Sequence, residues 1–464
     1  MEIVKLREKI AYGFGDAASS IFWKLFTMYL LFFYTDIVGL NALAVGTMIF
    51  ITRLWDSFLD PVIGIMADRT KTRWGKFRPY LLWMAIPFGI AGVLTFTASD
   101  LNDSGKLIYA YLSYSIMMIV YSLINVPYAS LLGVMTSDTK VRTELSSYRM
   151  IFAFIGSILV LLLVEPLVDF FSRRGGDIDL KFGWQMAIIV FSIIAIILFL
   201  LCFAWTKERV QPIKEKSNSI KSDIVDLLKN GPWWILLGAG IMTLMFNSIR
   251  DGVAVYYFKY CVIDAPVFYF ENIDTNLAII TIYLVLGQAA NIAGIVLATP
   301  VSARIGKKYT YLGAMALATI LSIAFFFLGY SNIALILVMQ FFISICAGMV
   351  TPLLWSMYAD TADYSEWKTG RRATGLIFSA SSMSQKLGGA LGVAIVGWLL
   401  AYFSYTSGIV QTVETQFGIK MMISLFPAIA TFLSAMFIFF YPLNDKKLEG
   451  ITIDLEKKRM EDAQ

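Results

Sequence analysis

Three charged residues interrupt an otherwise apolar stretch, and their spacing is the first chemical signal in the chain. Arg53, Asp56 and Asp60 fall at i, i+3 and i+7, which puts them on one face if the stretch is helical. Pro61 has no N–H, so the Ser57 carbonyl loses its helical donor. Two carboxylates beside a freed carbonyl suit a small hard cation. They also suit a proton, because neighbouring carboxylates in a low-dielectric site resist joint ionisation. The same residues permit a purely structural reading, an Arg53–Asp56 ion pair holding two segments together. The chain contains no histidine, so His-based metal sites are excluded and a proton relay must use carboxylates.

Other polar groups stand in similarly apolar surroundings. The first apolar stretch carries Asp16, Trp23, Lys24 and Tyr29. Trp23 can stack on the apolar C–H face of a sugar ring or serve as a packing aromatic. Lys24 can pair with Asp16, Asp56 or Asp60, or meet an acidic sugar such as a uronate. Far along the chain Arg250 and Asp251 form an adjacent pair, and Asn247 lies 231 positions after Asp16; the pair reads as part of a cavity or gate, or as a local structural contact. A charge at membrane depth costs at least ~2.5–3.5 kcal/mol on insertion scales, so each of these residues needs a reason.

The elements that position them are membrane spans. Of 464 residues, 58% are hydrophobic and only 15% charged, more apolar surface than soluble cores of this size require. The apolar residues come in blocks near or above the ~20 residues that cross a bilayer as helix. Charge and turn boundaries predict about twelve spans, at 8–34, 42–67, 79–98, 106–136, 142–168, 183–205, 232–260, 276–302, 309–328, 332–359, 373–404 and 419–441. Basic residues cluster after the even-numbered spans, as in Arg69–Arg78, Lys140/Arg142, Lys207–Lys229, Arg304–Lys308 and Lys368–Arg372, with Arg173 and Arg174 as the main exceptions. The positive-inside rule therefore puts both termini in the cytoplasm. The longest polar connection, Thr206–Asn230, divides the spans six and six. Arg73-Trp-Gly-Lys76 is echoed 231 positions later by Arg304-Ile-Gly-Lys307, and Arg142 by Arg372 at an offset of 230; a near-constant offset indicates two related halves. The expected organisation is a bundle at 1–205, a linker at 206–231, a second bundle at 232–443 and a charged tail at 444–464, frayed or disordered. No removable signal peptide is expected, because Met1–Ile10 carries five charges and no apolar core.

A family resemblance rests on specific runs: Tyr12-Gly-Phe-Gly15, Tyr34-Thr-Asp36, Arg53-Leu-Trp-Asp-Ser-Phe-Leu-Asp-Pro61, Arg69-Thr-Lys-Thr-Arg-Trp-Gly-Lys-Phe-Arg-Pro79, Asn125-Val-Pro-Tyr128, Ala359-Asp-Thr-Ala-Asp-Tyr364 and Gln385-Lys-Leu-Gly-Gly389. In this order the chain resembles the glycoside–pentoside–hexuronide:cation symporters, of which the melibiose permease is the best-known member. The resemblance implies the twelve-helix, all-α major facilitator fold in two pseudo-symmetric six-helix bundles, and symport of a sugar, glycoside or hexuronide with H⁺ or Na⁺ in the cytoplasmic membrane. It implies a cation site at Asp56 and Asp60, with Ser122 matching a hydroxyl that can join it and Lys386 matching a lysine near the acids. The departures are informative. Leu59 stands where that permease has Asn, removing an oxygen ligand and tipping the reading from Na⁺ toward H⁺. Its sugar-binding acids fall on Ser20 and Asn125, a neighbouring lysine on Ser19 and a stacking tryptophan on Ala129, whereas Arg149 is retained. The substrate candidates are therefore Asp16, Ser20, Trp23, Lys24, Asn125, Arg149, Arg250 and Asp251, in a cavity built differently from that of an α-galactoside carrier.

The turn Gly64–Arg78 resembles the signature loop of the wider superfamily. Asp68, Arg69, Arg142, Asp360, Asp363 and Arg372 are candidate gate ion pairs, or alternatively solvated loop charges. No nucleotide fingerprint, nucleophile elbow or metal-ligand spacing is present, so neither an ATP-driven pump nor an enzyme is expected, and no cofactor beyond the coupling ion. Cys202, Cys261 and Cys346 lie far apart in apolar runs and read as packing residues. The net charge of +5 fits basic membrane-flanking loops rather than nucleic-acid binding. The expected partners are a small sugar and membrane lipid, with no obligatory protein partner; the competing transport reading is a carrier of a non-sugar such as a lysolipid.

Overall fold

The computed structural model describes residues 4–136, 139–174, 177–209, 227–262, 275–369 and 374–461. It is helical almost throughout. In chain order the helices are α1 (Leu6–Ile37), α2 (Ala42–Arg69), α3 (Arg78–Thr95), α4 (Asp103–Met135), α5 (Thr139–Ser172), α6 (Leu180–Trp205), α7 (Gly231–Tyr260), α8 (Thr275–Ile305), α9 (Lys307–Phe326), α10 (Ile333–Thr369), α11 (Thr374–Tyr402), α12 (Val413–Phe439) and α13 (Asp445–Glu461). The described strands are a two-residue antiparallel pair, β1 (Arg173–Arg174) and β2 (Asp177–Ile178), between α5 and α6. Among the described residues eleven helices are long and apolar enough to cross a membrane. The twelfth span is α3, whose 18 residues include Arg78, Pro79 and Tyr80 at its start, which dilutes its hydropathy.

Side-chain caps start several helices. Asn41 accepts from Leu43 and Ala44 N–H, Asn102 from Gly105, Asp179 from Phe182, Asn230 from Trp233 and Thr412 from Thr415. Each satisfies backbone donors that the first helical turn leaves open. Exposed apolar residues then recur at helical spacing: Ile86, Ile90 and Leu94 on α3, and Ile108, Leu112, Ile116 and Ile119 on α4. Charged residues are meanwhile inside, with Glu8, Lys24, Arg53, Asp56 and Arg250 all buried. Apolar stripes outward and charge inward is the arrangement a lipid solvent selects.

Contacts divide the chain into two units, Met1–Ile213 with Gly397–Val410, and Lys214–Val396 with Gln411–Gln464. In the first unit α1 packs chiefly on α5 and α6, and α2 on α4. The end of α11 joins this unit, where Trp398 Nε1 donates to Thr47 Oγ1 at 3.0 Å and the Tyr405 hydroxyl to Asp36 Oδ2 at 2.6 Å. The start of the polar connection after α6 is also fastened here. The Glu208 carboxylate accepts from the backbone N–H groups of Lys76, Phe77 and Arg78 at 2.9, 2.8 and 2.9 Å, an anion on the open N-terminus of α3. Gly75, with φ +109°, makes this approach possible, because a Cβ there would overlap the carboxylate. Arg209 binds Glu8 in the same region.

In the second unit α8 packs chiefly on α10, and α7 on α12. Most of the charged tail is helical: α13 buries Ile451 and Leu455 against the apolar cluster around Tyr311, Met357 and Tyr441, and Trp367 Nε1 donates to Asp454 at 3.1 Å. Three apolar residues at helical spacing, the partly buried Leu448 with Ile451 and Leu455, dock a segment whose composition reads as frayed. α10 runs to Thr369, ten residues beyond the expected end of that span, so Asp360, Asp363 and Glu366 stand on helix rather than in a loop.

Candidate functional site

The acids of α2 meet α4. Asp56 is buried, and Ser122 Oγ donates to its Oδ1 at 2.7 Å. Asp60 lies one turn further along the same face, half-buried. Among the described residues no cluster of three or more His, Cys, Asp or Glu is present, so any ion at these acids would draw its other ligands from neutral oxygens such as Ser122. Arg53 turns to other partners. Its Nε donates to the Tyr114 hydroxyl at 2.8 Å, and its guanidinium stacks 4.3 Å from the Trp23 ring centroid, a cation–π contact strengthened by exclusion of water. One arginine thus stands between the acid-bearing helix and the aromatic of α1.

Trp23 and Lys24 immediately precede a π-helical turn, Leu25–Tyr29, the kind of local widening that recurs at functional positions. Trp23 is half-buried, and Tyr121 of α4 lies 6.1 Å from it, tilted by 37°. On the same side of α1, Arg149 of α5 donates through Nε to Asp16 Oδ2 at 2.9 Å. The Arg149 guanidinium lies 5.3 Å from the Tyr128 ring, and Tyr128 in turn stacks on Tyr12. Nε is one of five arginine N–H donors, so the Nη groups are those available to a ligand. Asn125 is held at both ends: Ser19 Oγ lies 2.6 Å from its Oδ1, and its Nδ2 donates to the Tyr121 carbonyl at 3.0 Å. Ser20 is half-buried on α1. Asp16, Trp23, Asn125 and Arg149 therefore share one polar, aromatic-lined region of the first unit.

The remaining substrate and coupling candidates lie in the second unit. Arg250 is buried on α7 and donates to the Ile423 carbonyl, the Tyr283 hydroxyl and Gln340 Oε1 at 2.8, 2.8 and 2.6 Å; Asp251 is half-buried beside it, and Lys386 is half-buried on α11. Of the gate candidates, Asp360 receives both oxygens' hydrogen bonds from Lys307 Nζ at 2.8 Å, Arg69 is exposed and Asp363 half-buried. The side chains of Asp68 and Arg142, and Arg372 itself, lie outside the described residues.

Sequence reasoning missed the aromatic partners. Tyr114, Tyr121 and Tyr128 recur every seven residues on α4, with Asn125 on the same stripe, a periodicity that marks one helix face. It also missed that Arg53 prefers a hydroxyl and an indole to Asp56, for which no local signal existed.

Residues 11–445 match the profile of a family described as MFS/sugar transport protein. The chain is 37% identical over 438 residues to the inner membrane symporter YicJ of Escherichia coli K12, covering 94% of this chain and 91% of the relative. It is 34% identical over 465 residues to the isoprimeverose transporter of Lactiplantibacillus pentosus, covering 99% and 93%, and 31% identical over 454 residues to a glucuronide carrier protein homolog of E. coli K12, covering 98% and 96%. Solved structures share the fold at low identity. A bacterial homolog of the lysosomal transporter Spinster, inward-facing, matches with TM-score 0.66 at 12% identity over 94% of this chain and 95% of the other. The nucleoside transporter NupG matches with TM-score 0.62 at 13% identity over 94% and 100%.

Proposed function

The chain belongs to the MFS/sugar transport family, and from that premise we propose how it works as a cation-coupled sugar symporter. The substrate is a glycoside or hexuronide, a class in keeping with relatives named for isoprimeverose and glucuronide. Nothing in those names favours a lysolipid. Asp56 and Asp60, with Ser122, take the coupling ion. Asp16, Trp23, Asn125 and Arg149 take the sugar, with Trp23 under the apolar face of a ring and the Arg149 Nη groups on its hydroxyls. Leu59 beside Asp60 offers no oxygen, which favours H⁺ over Na⁺.

The single observation that carries this reading is the Arg53 bridge. Arg53 lies one turn from Asp56 on α2, and it stacks on Trp23 while held by Tyr114. Loading the acids changes the charge that Arg53 feels, and Arg53 sets the indole against which a sugar rests. Symport needs such a link, because cation and sugar must each favour the other's binding. Lys386, Asp68, Arg69, Arg142, Asp363 and Arg372 are gate or coupling residues of an alternating-access cycle, and both termini are cytoplasmic by the basic-loop bias. Counterflow in proteoliposomes with isoprimeverose, 4-nitrophenyl glycosides and 4-nitrophenyl glucuronide tests the proposal. Exchange of at least one, stimulated by H⁺ or Na⁺, is expected; no exchange of any sugar would overturn it.

A further inference from the structure

Three helix ends of the first unit meet at one rim of the bundle, and arginines there lie on aromatic rings. α1 begins at Leu6, α3 begins at Arg78 and α6 ends at Trp205. The Arg7 guanidinium lies 4.0 Å from the Trp205 ring centroid, that of Arg78 4.9 Å from Phe203, and that of Arg73, in the turn before α3, 4.4 Å from Trp74. Trp74 in turn meets Phe203 edge to face at 5.9 Å. Arg78 serves the fold, donating to the Phe203 and Trp74 carbonyls at 2.7 and 3.2 Å. Arg7 and Arg73 are exposed, and neither has a hydrogen bond or an ion pair among the described residues. A ring beneath a guanidinium fixes its plane and leaves the N–H donors along its edge open.

The acids of this rim are already taken. Glu8 accepts from Arg209 at 2.8 and 2.9 Å, Glu144 pairs with Lys9, and Glu208 sits on the N-terminus of α3. Lys5, Lys71 and Lys207 are exposed nearby, so the open charge among the described side chains here is positive. In the second unit the repeat-related basic residues turn inward: Lys307 holds Asp360, and Lys308 donates to the Tyr441 carbonyl at 2.6 Å. Arg304, the 231-offset mate of Arg73, is exposed and stacks on no ring among the described residues. An apolar track leads to the first-unit rim. Ile193, Ile197 and Ala204 are exposed on one face of α6, and Phe203 and Trp205 stand on either side of its end. The ring that carries Arg7 thus lies on one flank of the track, and the ring beside Arg73's partner on the other.

We infer that this rim is a binding site for an anionic phospholipid, its acyl chains on the outward face of α6 and its headgroup at the end of that face, reached from one flank by Arg7 and from the other by Arg73. A guanidinium edge matches phosphate oxygens two at a time. A zwitterionic headgroup would bring its own ammonium into a rim whose open charge is already positive, whereas an anionic one neutralises it. A free phosphate would leave the apolar track unused. Tryptophan and arginine at a helix end, where the hydrocarbon gives way to headgroups, is where such recognition belongs. The inference goes beyond sugar transport, and it holds whichever side of the membrane this rim faces.

Titration of the purified full chain with phosphatidylglycerol and with phosphatidylcholine of the same acyl chains, read by native mass spectrometry, tests it. Phosphatidylglycerol should stay bound where phosphatidylcholine is lost. Arg7→Gln and Arg73→Gln should each weaken phosphatidylglycerol about fivefold, the value of one basic residue at an anionic lipid surface, and leave phosphatidylcholine unchanged. Arg304→Gln removes the same charge from the corresponding position of the second unit and should change neither. Thermal melting checks that each variant is folded, and phosphatidylglycerol should raise the melting temperature of the wild type more than that of Arg7→Gln or Arg73→Gln. Equal retention of the two lipids by the wild type would overturn the site, and so would unweakened binding by both arginine variants. Equal weakening by Arg304→Gln would reduce the rim to diffuse attraction, and displacement of the lipid by equimolar glycerol phosphate would make it a site for free phosphate; either result would overturn the inference.

Discussion

Replacing Asp16 by Asn keeps the shape of the side chain and removes the charge that orients Arg149. The pair is a single Nε–H···O contact of 2.9 Å, with the two side chains 17% and 34% exposed. A charge-assisted hydrogen bond contributes about 1.5–3 kcal/mol when dry, and water at this partly open pair screens that to ~1 kcal/mol. If Asp16 acts by aiming the arginine fork, Asp16→Asn should weaken sugar binding about fivefold. Arg149→Lys keeps a positive charge but loses the planar fork, so hydroxyls once held by two Nη groups meet one ammonium; about 1–3 kcal/mol, or roughly 5- to 150-fold in affinity, should go. The two changes should not add. With Lys at 149 there is no fork left to aim, so the second substitution should cost little, giving a coupling energy of about 0.5–1 kcal/mol in the double-mutant cycle. The assay is equilibrium binding of a nitrophenyl glycoside to purified protein, with wild type, both single variants and the double. Additive losses would show that Asp16 and Arg149 act independently and would refute the aiming argument.

Three further outcomes are expected. Trp23→Ala should lower sugar affinity and also loosen Arg53, so the cation dependence of binding should flatten in the same variant; a change in affinity with unaltered cation dependence would remove Arg53 as the link. Glu208→Gln should lower thermal stability by about 1.5–3 kcal/mol, since one anion accepts three backbone donors at the start of α3, while sugar affinity stays near wild type; an unshifted melting curve would show the clamp to be incidental. For topology, Ser104→Cys should react with a membrane-impermeant maleimide in intact cells and Asn218→Cys only after permeabilisation, against a low background because Cys202, Cys261 and Cys346 are buried; the opposite pattern would invert the proposed orientation.

Much of the fold was legible because lipid imposes a simple rule: backbone polar groups must be satisfied within each span, so helices announce themselves as apolar blocks. What escaped were helix ends. α10 continues through Asp360 and Glu366, where charge density reads as loop, because a helix leaving the hydrocarbon needs no apolar residues to continue. α13 was equally hidden, since Leu448, Ile451 and Leu455 are a sparse apolar set in a charged length. At the site, the i, i+3, i+7 spacing on α2 was readable from elementary helix geometry, but its partners were not. Ser122 was expected beside Asp56 from the family resemblance alone; that Arg53 leaves Asp56 for Tyr114 and Trp23, and that Asn125 is locked by Ser19, are facts of how α1, α2 and α4 pack. No local pattern encodes the rotation of one helix against another.

The central claim is that the acids of α2 couple ion to sugar, and uphill accumulation measured beside exchange tests it most directly. In proteoliposomes with an imposed H⁺ or Na⁺ gradient, wild type should concentrate its glycoside, and Asp56→Asn and Asp60→Asn should each abolish accumulation while sugar binding or equilibrium exchange persists in part. Accumulation driven by a pH gradient in sodium-free vesicles would accord with Leu59 standing where an oxygen ligand is missing, and a strict sodium requirement would reverse that choice of ion. Full accumulation by Asp56→Asn would contradict the account outright.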